Sequence, residues 1–118
     1  GSVWAEEVKV SVTAYTLKEC FDNKGVTASG EPVRKGIVAV SRDLERKGLT
    51  LGTKIQIGNM GTFVIKDRMN RRKKGNIDIY MTSYTDALKF GKQKYTLVRK
   101  QRASALPENQ KQYVWALN

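Results

Sequence analysis

Apolar and polar residues alternate along several short runs of this chain, and that alternation predicts strands. Val8, Val10 and Val12 are separated by Lys9 and Ser11, and the run continues into Thr13-Ala14-Tyr15. A period of two marks a strand with one buried face. Lys54-Ile-Gln-Ile57 repeats the pattern. Gly58-Asn-Met-Gly61 then reads as a tight turn into Phe63–Asp67, so these two runs predict a hairpin. Val33 to Val40 predicts a further strand, and its unbroken Ile37-Val-Ala-Val40 segment implies burial on both faces. Ile77–Met81 and Tyr95–Val98 complete the set.

Two segments carry helix signals instead. Ser41 to Lys47 predicts a short helical turn, capped by Ser41 and ended by Gly48. Ser83 with Asp86 three residues on forms a capping-box-like start, Tyr84, Ala87 and Leu88 fall on one helical face, and Gly91 stops the helix. Residues 18–32, rich in Gly, Asn, Asp and Pro, read as a loop. Five to seven short strands with one real helix predict a mainly β fold, a small closed barrel.

At 118 residues the chain fits one domain, with residues 6–100 as the barrel and 101–118 as a polar extension in which Tyr113-Val-Trp115 is an apolar anchor. Residues 1–5 are expected to lie outside the fold. Gly1-Ser2 reads as a cloning scar, and Val3-Trp4-Ala5 resembles the end of a secretory signal with Glu6 beginning the mature chain. An apolar fraction of 40% excludes a disordered chain. No apolar run is long enough to cross a bilayer as a helix.

Charge changes the picture more. A net charge of +11 implies an acidic partner: nucleic acid, an anionic membrane surface or a polyanionic envelope polymer. Nucleic acid is disfavoured, because no aromatic residues interleave with the Arg71–Lys74 run to give a stacking platform. The single cysteine, Cys20, excludes an intrachain disulfide, and the lack of histidine removes the commonest general base and metal ligand. Acid/base work would then fall to carboxylates, Lys or Tyr, with no metal or cofactor expected.

Asp67 and Asp78 are the candidates. Asp67 closes one predicted strand, Asp78 lies near the start of the next, and a basic loop joins them. Paired carboxylates in unlike environments are the equipment of glycosidic-bond cleavage. Parity puts Asp67 on the face of Phe63 and Ile65, partly desolvated, and Asp78 on the face of Tyr80, opposite Ile77 and Ile79. The competing explanation is structural: both aspartates cap turns or pair with Arg68, Arg71 or Arg72.

The ordered segments Thr13-Ala14-Tyr15, Thr27-Ala28-Ser29-Gly30, Ile37–Val40, Leu51-Gly52-Thr53, Phe63–Asp67, Lys74-Gly75-Asn-Ile-Asp78-Ile-Tyr80 and Phe90-Gly91 together resemble the three-aspartate domain of bacterial cell-wall enzymes. The resemblance spans roughly residues 8 to 100. It implies a six-stranded double-psi β-barrel with one or two short helices. It also implies a lytic transglycosylase, which cleaves the bond after N-acetylmuramic acid in peptidoglycan to leave a 1,6-anhydro end. Asp78 would be the acid/base and Asp67 its partner. Tyr15, Thr27, Ser29, Gly30, Asp43, Arg68, Asn70 and Tyr80 would contact the glycan. Peptidoglycan strands would be the partner, the envelope (periplasmic or secreted) the location, and a monomer the expected state. Two segments depart from the family. Asp67-Arg68-Met69-Asn70 replaces Asp-Thr-Gly-Gly, and Ala39-Val40-Ser41-Arg42 replaces Ala-Val-Asp-Pro, leaving Asp43 to stand for the third aspartate. A barrel that binds wall polysaccharide without cleaving it, as expansin-like proteins of this architecture do, is the alternative.

Overall fold

A computed structural model describes residues 3–19 and 25–102 of the chain. Cys20 and the Tyr113–Trp115 segment lie outside the described residues. Six strands form the molecule: β1 (Trp4–Tyr15), β2 (Ile37–Val40), β3 (Lys54–Ile57), β4 (Gly61–Arg68), β5 (Asn76–Tyr80) and β6 (Gln93–Gln101). They close in the order β1-β5-β2-β4-β3-β6. β1 with β5 and β2 with β4 run parallel, and the other neighbouring pairs are antiparallel. The fold is the small, mainly β closed barrel that the alternation predicts, in the six-stranded double-psi form that the resemblance implies, with two short helices, α1 (Arg42–Arg46) and α2 (Tyr84–Phe90).

The alternation explains closure. Val10, Val12, Val38, Val40, Ile55, Ile57, Ile65, Ile77, Ile79 and Val98 all turn inward, so every strand contributes to one branched-aliphatic core. Leu44 of α1 joins this core, and Phe90 of α2 packs against it. α1 follows β2 and α2 follows β5, so the two helices reach the core from opposite ends of the antiparallel β2–β5 pair.

Several boundaries differ from expectation. β1 starts at Trp4, because Trp4 and Ala5 pair with Gln101 and Lys100, so the barrel begins before Glu6 and extends past residue 100. Val33–Gly36 is not strand; the strand is limited to Ile37–Val40, where pairing with both β4 and β5 is available. Ser83 caps α2 as expected, accepting from the Asp86 N–H at 3.1 Å. Leu88, by contrast, is 63% exposed. α2 forms with Tyr84, Ala87 and Leu88 on one side as expected, and only Ala87 of the three is buried. Ser41 precedes α1 without capping it; its Oγ accepts instead from the Asn76 N–H at 3.0 Å.

Candidate functional site

One row of residues crosses the outer face of the barrel. Thr13 of β1 pairs with Asp78 of β5, Asp78 with Ala39 of β2, and Ala39 with Asp67 of β4. Paired residues on adjacent strands share a face, so both aspartates point outward from one shelf, with Ala39 between them.

Asp67 reaches that shelf through an irregularity. Val38 pairs with Ile65, but Ala39 pairs with Asp67, leaving Lys66 as an extra residue in β4. Such a bulge inverts side-chain parity beyond it. Asp67 therefore faces opposite to Ile65, correcting the expectation that the two share a face. Lys66 reaches Glu31 instead, at 2.9 Å. That hydrogen bond, against desolvation and helped by the charges of Lys66 and Arg34, holds the Glu31 carboxyl below its ordinary range.

The two carboxylates have different surroundings. Asp78 is half-buried, and its Oδ1 accepts from the Thr13 hydroxyl at 2.9 Å. Thr13 in turn accepts from Asn76 Nδ2 at 3.0 Å. Asn76 is buried and anchored by a second bond to the Ile77 carbonyl, so a relay runs from the strand backbone to Asp78. Asp67 Oδ1 accepts from two backbone N–H groups, Ala28 and Arg68, both at 2.8 Å. The Arg68 guanidinium does not clamp it. Arg68 Nε lies 2.9 Å from both oxygens of Glu45 on α1.

The expected close pair of acids does not form. Asp67 and Asp78 are separated by all of β2, which places their Cα atoms two strand spacings, about 10 Å, apart. That is too far for one carboxylate to hold the other's proton. The interval is also filled. Met69 is buried with Tyr15, Ile37, Ala39 and Tyr80 in a second apolar cluster on this face, backed by Val33. The methionine in place of a glycine thus becomes part of the shelf's apolar floor. This cluster explains why Ile37–Val40 is buried throughout.

The remaining candidates divide. Tyr15 and Tyr80 pack edge-to-face with centroids 5.5 Å apart and are 8% and 7% exposed, so neither offers a ring face to a sugar. Thr27 is buried and bonds Ser29 Oγ and the Glu31 carbonyl. Ser29 and Gly30 are exposed, and Gly30 turns the loop with φ +87°. This loop lies beside the shelf, because Ser29 N–H donates to the Lys66 carbonyl and Ala28 N–H to Asp67. Asn70 accepts from the Arg72 N–H and staples its own turn. Asp43 accepts from the Gly75 N–H at 2.9 Å, away from the row. Desolvation raises the Asp43 carboxyl, but hydrogen bonds from Ser41 and from the Gly75, Leu44 and Asp43 backbone prevail and hold it below the ordinary aspartate range. Asp43, Asn70 and Arg68 thus hold loops and do not join the shelf. Thr13, Asn76, Ala39 and Met69 complete the shelf and were not among the candidate site residues. Thr13 carried a signal, since it shares strand parity with Tyr15 in the Thr-Ala-Tyr segment.

Among the described residues, no group of three or more His, Cys, Asp or Glu is placed to hold a metal ion, and no helix is long and apolar enough to cross a membrane.

No family model and no curated protein sequence matches the chain significantly. Solved structures do. A Streptomyces papain inhibitor aligns with TM-score 0.59 and 17% identity, over 84% of this chain and 97% of the inhibitor. An expansin of Clavibacter michiganensis aligns with TM-score 0.57 and 18% identity, over 86% of this chain and 54% of the expansin. An Asp-to-Asn mutant of that expansin, solved in complex with cellohexaose, aligns with TM-score 0.53 and 16% identity over the same shares. The chain spans about half the length of the expansin chains. At these identities the likeness establishes the six-stranded barrel and nothing finer.

Proposed function

We propose that this barrel binds β-linked polysaccharide of the bacterial cell wall on the Thr13–Asp78–Ala39–Asp67 shelf, without cleaving it. The observation that carries this reading is the row itself. Two outward carboxylates, each fixed by hydrogen bonds, flank a floor of Ala39 and Met69. A β-linked sugar presents equatorial hydroxyls at its rim, and the shelf offers two fixed carboxylate acceptors for them, about 10 Å apart. The solved complex with cellohexaose of an expansin, about half of whose chain shares this barrel fold, supports the polysaccharide class. The interval between the acids argues against a two-carboxylate cleavage. Envelope localisation and peptidoglycan as the polymer belong to this proposal.

A second reading keeps Asp78 as a catalyst acting alone. Its half-buried position and the Thr13 bond favour it. As an acid, Asp78 would protonate the leaving glycosidic oxygen. As the resulting carboxylate, it would take the proton of the sugar's 6-hydroxyl while that oxygen attacks C1 to close the 1,6-anhydro ring. Incubation with peptidoglycan separates the two readings. Co-sedimentation without soluble product supports binding. 1,6-Anhydro muropeptides by mass spectrometry, lost in Asp78→Asn, would replace it with catalysis.

A further inference from the structure

The loop between β4 and β5 meets α1 at one end of the barrel, and together they line a concavity. Its walls are Arg42, Glu45, Arg46, Arg71 and Lys74. The one carboxylate there, Glu45, is already paired with Arg68. Arg46, Arg71 and Lys74 have no carboxylate partner among the described residues. Like charges brought together around a hollow repel each other, and an anion between them relieves the repulsion.

A charge run is ordinarily a solvated loop. Here the loop is built. Asn70 holds it at two points, its Oδ1 accepting from the Arg72 N–H at 2.9 Å and its carbonyl from the Lys73 N–H at 3.0 Å. Asp43 holds its far end through the Gly75 N–H. Arg42 Nε donates to the Met69 carbonyl at 3.3 Å, which ties the wall of the concavity to the floor of the shelf. Met69 is therefore shared: its backbone borders the basic hollow and its side chain lies in the apolar cluster beneath the shelf. A polymer lying across the shelf would carry its substituents toward the cations.

We infer that this concavity is a separate subsite for the anionic groups, carboxylate or phosphate, carried by the wall glycan whose sugar backbone lies on the shelf. The inference rests on the binding role proposed above and adds a selectivity to it. The shelf takes the sugar ring, neutral or not, and the hollow favours chains that bear negative charge.

The test uses the full chain and the triple variant Arg46→Ala/Arg71→Ala/Lys74→Ala, whose exposed side chains lie outside the shelf, with circular dichroism to verify folding. Binding is measured to cellohexaose by calorimetry and to purified peptidoglycan sacculi by co-sedimentation at low salt. Each cation removed should weaken binding to the anionic wall by about fivefold, so the triple variant should lose about a hundredfold. Its affinity for cellohexaose should be unchanged. Sacculi stripped of phosphate polymer distinguish the source: binding lost with the phosphate assigns phosphodiesters, and binding kept assigns stem-peptide carboxylates. Equal wall binding by the folded variant and the parent would overturn the subsite. Equal loss of cellohexaose and wall binding would overturn its separateness. A parent that binds duplex DNA more tightly than sacculi through these residues would overturn the glycan assignment. If the parent binds neither cellohexaose nor sacculi, the proposed function itself fails, whatever the variant does.

Discussion

Replacing Thr13 with valine keeps the shape of the side chain and removes the hydroxyl at the centre of the Asn76–Thr13–Asp78 relay. Two bonds are lost, one of 2.9 Å to the Asp78 carboxylate and one of 3.0 Å from Asn76 Nδ2. A hydrogen bond to a charged group contributes about 1.5–3 kcal/mol when buried. Asp78 is only half-buried, so about 1 kcal/mol is the appropriate share. Asn76 is 4% exposed and keeps its bond to the Ile77 carbonyl, leaving one N–H without its partner. That orphan costs about 1 kcal/mol more. The added methyl group returns a fraction of this through apolar contact, since Thr13 is partly buried. Thr13→Val should therefore destabilise the barrel by about 1–2 kcal/mol, read as a shift of the urea midpoint at unchanged slope. The cycle with Asp78→Asn should show a coupling of about 1 kcal/mol between the two positions. A single variant within about 0.3 kcal/mol of the parent, or a coupling near zero, would refute the relay and with it the argument that Asp78 is held in place.

Four further outcomes follow from the same geometry. Asp43 has a folded carboxyl below its unfolded value near ~3.9, so its contribution is complete above that pH and is lost as pH falls through the folded value; the stability gap between the parent and Asp43→Asn should stay constant above pH ~5 and narrow below pH ~4 in urea titrations. Met69→Ala should cost about 2–3 kcal/mol, because the side chain is buried among Tyr15, Ile37, Ala39 and Tyr80, whereas Leu88→Ser on exposed α2 should stay within about 0.5 kcal/mol by the same measurement. Tyr95 has φ 58° and is 82% exposed, so Tyr95→Gly should raise unfolding free energy by about 0.5–1 kcal/mol in thermal or urea unfolding as the left-handed strain is relieved.

What the sequence could reveal follows from the range of the forces involved. Period-two runs at Val8–Val12 and Lys54–Ile57 are local, and so are Ser83, Asp86 and Gly91 around α2; each produced its element where expected. The bulge at Lys66 is not local. It exists because β4 must pair with β2 in a register that skips one residue, and no pattern within Phe63–Asp67 records the skip. The face of Asp67 was consequently misjudged. Tyr15 and Tyr80 stand at positions the resemblance marks for glycan contact, but their burial depends on Met69 and Val33 arriving from elsewhere in the chain. Arg68 adjoins Asp67 in sequence, and the basic loop gave reason to expect a clamp on the acid. Glu45, presented by α1, takes the guanidinium instead. Spacing puts Tyr84, Ala87 and Leu88 on one helical face but does not say how much of that face is covered, and only Ala87 of the three is buried.

The shelf is tested most directly by amide chemical-shift mapping during titration with cellohexaose and with soluble peptidoglycan fragments. Binding on the outer face should move the amides of Thr13, Ala39, Asp67 and Asp78 together, and Asp78→Asn should shrink those shifts without altering the rest of the spectrum. Saturable shifts confined to the far side of the barrel, with those four amides unmoved, would contradict the account.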